Sequence, residues 1–141
     1  MDYKALSGKH ERLNRLMKLH FAMYFEDFEL TAMQALTLEY IMLRRENGDV
    51  FPKDLETFLF IRSSSVASLM NNLETAGYIQ RETASFDARY KCLVPTQKAL
   101  DIKAAISQRI DEYHKSLFRG ISEKDLAVYE SVIEKMTKNA E

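Results

Sequence analysis

Apolar residues recur three and four apart along most of the chain, and one stretch switches to a shorter period. Leu13, Leu16, Met17, Phe21, Tyr24 and Phe28 form a stripe on a long first helix, over about 5–28. Thr31 followed by Gln34 has capping-box spacing, in which each side chain bonds the other's backbone N–H, so a second helix starts there and runs to about Arg44. "ENGD" at 46–49 is a turn. Pro52 suits a first helical position, where a backbone N–H would have no partner anyway, and Leu55, Phe58 and Leu59 give that helix a short stripe. After a break at Phe60–Ser63, the next stripe is Val66, Leu69, Met70 and Leu73, with Gly77 placed as its left-handed terminator.

The period then changes. "YIQRET" (78–83) and "RYKCLV" (89–94) are β-prone runs joined by "ASFDA", which reads as an antiparallel hairpin. Pro95–Thr96 ends the second run and caps a long helix striped by Ala99, Ile102, Ile106, Ile110, Tyr113 and Leu117. Gly120 stops it, and Ser122 with Asp125 opens a last helix carrying Leu126, Tyr129, Ile133 and Met136. The expected order is four helices, a hairpin and two helices: a mainly α (α+β) chain.

Composition narrows this picture. The 141 residues, 46% hydrophobic with four glycines and two prolines, suit one folded domain with its own core. A net charge of −1 gives no global field toward nucleic acid or anionic lipid, so any such attraction must be local. The single cysteine excludes an intramolecular disulfide framework and fits a reducing cytoplasm. The polar opening "MDYKALSGKHERLNR" does not read as a signal peptide, and no apolar run is long enough to span a membrane. The expectation is a cytoplasmic protein with no membrane partner.

Two short helices around a tight break, followed by a hairpin, describe a winged helix-turn-helix. Its second helix exposes Ser68, Asn71 and Asn72 where Lys and Glu are commoner. A helix in the major groove needs short side chains that donate and accept hydrogen bonds, and carboxylates there would be repelled by phosphate. From Thr57 to Leu73 there is no Asp or Glu, in a chain that has 21 of them.

At these residues the sequence resembles the MarR family of dimeric winged-helix transcription regulators, from about Leu30 to Leu100. "LTAMQ" (30–34) is similar to the family's opening of the second helix, and "SSSVASLMNNLETAGYIQR" (63–81) to its recognition helix and Gly-[Leu/Tyr]-[Ile/Val]-x-Arg ending. "DARYKCLVPT" (87–96) resembles the Asp-x-Arg wing with its strand and helix start. The resemblance implies one MarR-like domain over 1–141, a DNA-binding lobe at 31–95, and dimerisation helices at 5–28 and 96–138. It implies that Ser64, Ser65, Ser68 and Asn71 touch bases and phosphates, that Arg62 lies near phosphate at the helix start, and that Arg89 with Lys91 reaches DNA from the wing. Asp87 would orient Arg89, and Arg81 would brace the wing. The implied partners are double-stranded DNA, a second copy of the chain, and a small-molecule effector that releases a repressor from a pseudo-palindromic operator.

This chain departs from the family pattern in carrying Ser68 and Asn72 where Lys or Arg is frequent, and Ala99 where glycine is usual. Segment 51–95 holds five basic and five acidic residues, so phosphate neutralisation, and with it non-specific affinity, should be modest. That balance leaves a second reading open: a winged-helix module that binds protein.

Phe21, Tyr24, Phe25 and Phe28 could line an effector pocket, although plain core or dimer packing is the favoured explanation of such a stripe. Cys92 alternates with Tyr90 and Val94 and reads as an inert, half-buried thiol rather than a redox switch. His10, His20 and His114 lack the close spacing of metal ligands, so no metal or other cofactor is expected, although folding could bring His20 and His114 together. No phosphate-cradling glycine loop or nucleophile–base arrangement points to an enzyme.

Overall fold

Asp2 accepts a hydrogen bond from the Ala5 N–H at 2.9 Å and so opens helix α1 (Tyr3–Met23). It is the first element of a computed structural model that describes residues 1–141. Helix α2 (Ala32–Arg45) starts on the expected capping box: Gln34 N donates to Thr31 Oγ1 at 3.2 Å, and Thr31 N donates to Gln34 Oε1 at 3.0 Å. Helices α3 (Pro52–Leu59) and α4 (Ser63–Thr75), strands β1 (Ile79–Thr83) and β2 (Lys91–Pro95), and helices α5 (Gln97–Leu117) and α6 (Glu123–Ala140) complete the order. The fold is a mainly helical winged helix.

Gly77 ends α4 as its spacing predicts. Its φ is +83°, its N–H donates to the Glu74 carbonyl at 3.0 Å, and Tyr78 N donates to the Leu73 carbonyl at 2.9 Å. This is a Schellman closure, with Leu73 and Tyr78 both buried. The two strands pair antiparallel, Ile79 opposite Pro95 and Thr83 opposite Lys91. Leu93 N also donates to the Val50 carbonyl at 2.7 Å, tying the α2–α3 connection to the hairpin.

The core gathers Leu38 and Ile41 of α2, Leu55 of α3, Val66, Met70 and Leu73 of α4, Ile79 and Leu93 of the hairpin, and Ile106 of α5. Each such aliphatic side chain stabilises by about 1.5–3 kcal/mol on burial. Helices α1 and α6 bury no residue at all. No helix is long and apolar enough to cross a membrane.

Three expectations need correction. Helix α1 stops at Met23, not near 28. Tyr24, Phe25 and Phe28 instead sit in successive tight turns, each N–H donating to the carbonyl three residues earlier. The apolar spacing outlasts the helix because Phe25 turns into the core and packs edge-on against Phe21 and Phe28. Arg89 and Tyr90 belong to the wing turn rather than the second strand. Asp87 holds both, its carboxylate accepting from Arg89 N at 2.9 Å and its carbonyl from Tyr90 N at 3.2 Å. Cys92 is fully rather than half buried, with Arg45 Nη1 at 3.5 Å from its sulfur.

Candidate nucleic-acid interface

Helix α4 is fixed from behind by Val66, Met70 and Leu73, so its other side faces outward. Ser64, Ser65, Ser68, Asn71 and Asn72 are exposed there. Arg62 occupies the N-cap without a side-chain cap bond, while its carbonyl accepts from Ser65 and Val66 N–H. The first turn carries no acid. Unpaired amides and the positive end of the helix dipole are therefore presented together with serine hydroxyls, an arrangement that favours anions.

Arg81 on β1 bridges back to this helix. Its Nη2 donates to Asn71 Oδ1 at 2.8 Å and its Nε pairs with Glu74 Oε2 at 2.9 Å. It thus links wing and helix, and Asn71, read from the sequence as a free base contact, has its carbonyl oxygen already engaged. On the wing, Arg89 pairs side-on with Asp87, Nη2 to Oδ2 at 2.7 Å and Nε to Oδ1 at 3.1 Å. The Arg89 side chain remains 85% exposed. Its guanidinium, and next its backbone N–H, hold the Asp87 carboxyl below the usual carboxylate range. Lys91 leans on its cross-strand partner, Nζ to Thr83 Oγ1 at 2.9 Å.

Sequence reasoning missed the anchor of the wing. Asp49 Oδ2 accepts from Ser85 N at 3.2 Å and Ser85 Oγ at 3.1 Å, and Arg45 pairs with Oδ1 at 2.8 Å. The two Ser85 bonds chiefly lower the Asp49 pKa. Only the "ENGD" turn hinted at this residue, and nothing local pointed to a serine 36 positions later.

The four aromatics read as an effector pocket occupy different surroundings. Phe25 is core, and Arg109 lies over the Phe28 ring at 4.7 Å while bonding the Tyr24 carbonyl and Asp27. Phe21 alone of the four lines the cavity between α1 and α5, about 360 Å³ and open on one side, with Lys18, Leu36, Tyr113 and His114 among its walls. His20 bonds Ser116 and packs against Tyr24 and Tyr113, while His114 stacks on Phe118. No cluster of three or more His, Cys, Asp or Glu side chains is placed to hold a metal ion.

Residues 28–89, the stretch from the α1–α2 turn through α4 to the wing arginine, match the family model described as MarR family. Over that lobe the chain is similar to the MarR family. Solved structures of the same fold extend the likeness beyond that lobe. The S. aureus MepR–DNA complex is 22% identical and superposes with a TM-score of 0.87 over 100% of both chains. The transcription regulator MarR from Oenococcus oeni PSU-1 is 24% identical, with a TM-score of 0.78 over 94% of this chain and 98% of its own. A putative MarR family regulator from Listeria monocytogenes complexed with 26mer DNA is 20% identical, with a TM-score of 0.78 over 93% of this chain and 85% of its own. The shared fold therefore takes in α1, α5 and α6 as well as the winged lobe.

Proposed function

We propose that this protein is a transcription regulator of the MarR family that binds double-stranded DNA by sequence. The observation that carries the reading is the outward face of α4, where Ser64, Ser65, Ser68 and Asn71 stand in a run with no acid before Glu74, together with an 85% exposed Arg89 on the wing. Two proteins of this fold have been solved on DNA. Arg62 and Lys91 would meet phosphates on either side of the recognition helix, and Asp87 and Arg81 would hold the wing.

The protein acts as a homodimer. Leu13, Leu16, Val128, Val132 and Ile133 are exposed on two helices that have no fully buried residue, and a second copy would cover them. Two-fold symmetry then sets two α4 helices into successive major grooves, about one helical turn apart, on a pseudo-palindromic operator. Regulation is repression, relieved by a small effector in the cavity beside Phe21, whose mixed apolar, Lys18 and His114 walls suit a small amphipathic acid. The α5 helix lines that cavity and also packs on the winged lobe, so a ligand there can alter the spacing of the two lobes.

Selection from random duplex DNA tests the reading, followed by anisotropy of the winning sequence across a salt series. A two-fold-symmetric consensus is expected, its log K falling with log salt at a slope of roughly −5 for about six phosphates. Enrichment of nothing by verified dimer at low salt would favour the protein-binding module. The even balance of charge over 51–95, with Arg89 already paired to Asp87, is the observation on that side.

A further inference from the structure

Phe60 ends α3 with φ +53° and ψ +49°, and no other non-glycine residue in the chain has a positive φ. A bulky side chain in the left-handed region strains the backbone, and helices usually place glycine or asparagine there. Strain of this kind is normally offset by packing, yet Phe60 is 95% exposed and its phenyl contributes almost nothing to the core. The left-handed backbone makes the tight break into α4, but the hydrated ring brings no packing within the chain to offset its strain.

The ring stands beside a groove of the helix-turn-helix. Lys53 in the first turn of α3, Thr57, Phe60 and Arg62 share its walls, with Glu56 also lining it. Two cations against one carboxylate leave the groove positive, and Arg62 is at once the N-cap of α4. A strand of sugar and phosphate has the matching alternation: anions for Lys53 and Arg62, and an apolar deoxyribose face for a phenyl ring. We propose that Phe60 is a DNA-contacting residue, packing on a deoxyribose of the backbone strand whose phosphates meet Lys53 and Arg62. The proposal rests on the DNA-binding reading above and adds a contact that hydrogen-bond chemistry on α4 does not supply.

The test compares Phe60→Asn, Phe60→Gly, Phe60→Tyr and Lys53→Gln with the wild type, on the selected operator and over a salt series. Asn accepts the left-handed backbone and should unfold at higher urea than the wild type, whereas Gly accepts it but adds unfolded-state freedom and should unfold near the wild-type midpoint. Their operator affinity should nevertheless fall by about tenfold, the weight of one good contact, at every salt concentration. The salt slope should stay unchanged, because an apolar contact releases no counterion, whereas Lys53→Gln should flatten it by about one unit per protomer. Phe60→Tyr keeps the ring and should keep the affinity. Folded Phe60→Asn that held operator as tightly as wild type would overturn the proposal while leaving the DNA reading intact. Wild type with no duplex preference at any salt would overturn both.

Discussion

The Nη2 of Arg81 donates to Asn71 Oδ1 at 2.8 Å, and because arginine has no acceptor, that bond fixes which end of the Asn71 amide faces the wing. The amide nitrogen makes no bond within the chain, so Asn71 offers donors outward. Donors suit the N7 and O6 acceptors of guanine better than the mixed edge of adenine, where an asparagine would use its oxygen too. Arg81→Met keeps the length of the side chain and removes the constraint. The expected result is a loss of about 1–3 kcal/mol of discrimination at one base step, with the salt slope unchanged. Affinity for a panel of single-base operator variants checks it, and identical profiles for both proteins would refute it.

Asp87 and Arg89 form a pre-paired wing tip whose guanidinium is still open to solvent. Arg89→Ala should weaken binding to many sequences alike and flatten the salt slope by about one unit per protomer. The Asp87 carboxyl, depressed first by the Arg89 side chain, should titrate below a free aspartate, which lies near 3.9. Its contribution to wing order is therefore complete above that ordinary value and is lost only as pH falls through the lower folded value. Carbon-detected NMR titration of Asp87 should show the depression in wild type and its disappearance in Arg89→Ala. A normal Asp87 midpoint in wild type would mean that the wing pair does not form in solution.

Much of this arrangement could be read from the chain because its determinants are local. Thr31 with Gln34, Gly77 at the end of α4 and Ser122 before Asp125 act within one turn of their own helix, and each does what its spacing predicts. The exceptions share one cause. Phe25 and Phe28 prolong a helical period beyond the helix because Phe25 enters the core while Arg109 of α5 bonds the Tyr24 carbonyl and covers the Phe28 ring. Asp49 reaches Ser85, and Arg81 reaches Asn71, only after the hairpin has folded back on the helices. Left-handed Phe60 runs against its own residue type, so no propensity argument could have placed it.

Tyr78 links the end of the recognition helix to the α1–α2 turn, its hydroxyl donating to the Glu29 carboxylate. Lys98 Nζ sits 4.4 Å over the same ring and bonds the Ala76 carbonyl at 2.7 Å. Burial first, and the Glu29 carboxylate next, push the Tyr78 hydroxyl up to about 12. The neutral phenol is the form the fold favours, so this contribution to stability is complete below about pH 10, the ordinary tyrosine value, and disappears as pH rises through about 12. Tyr78→Phe should cost about 1 kcal/mol in urea unfolding, the usual net worth of one such hydrogen bond. It should also remove the latest phase of the ultraviolet phenolate titration; persistence of that phase would assign it to another tyrosine.

The apolar faces of α1 and α6 give the last prediction. Leu16 is 49% exposed and Ile133 39%, and neither supports the core around α2. Substituting both by Glu should leave the winged lobe folded, because its buried residues lie on other helices. The charges would, however, be buried unpaired in a two-fold interface, a cost of several kcal/mol per ion. Sedimentation should then report the 16.4 kDa chain as a monomer, with unchanged far-ultraviolet dichroism over the lobe's thermal transition. Operator affinity should collapse toward that of a single half-site, since the second recognition helix no longer binds as part of the same body. A double variant that still sedimented as a dimer would place the subunit interface elsewhere and remove the basis for one-turn half-site spacing.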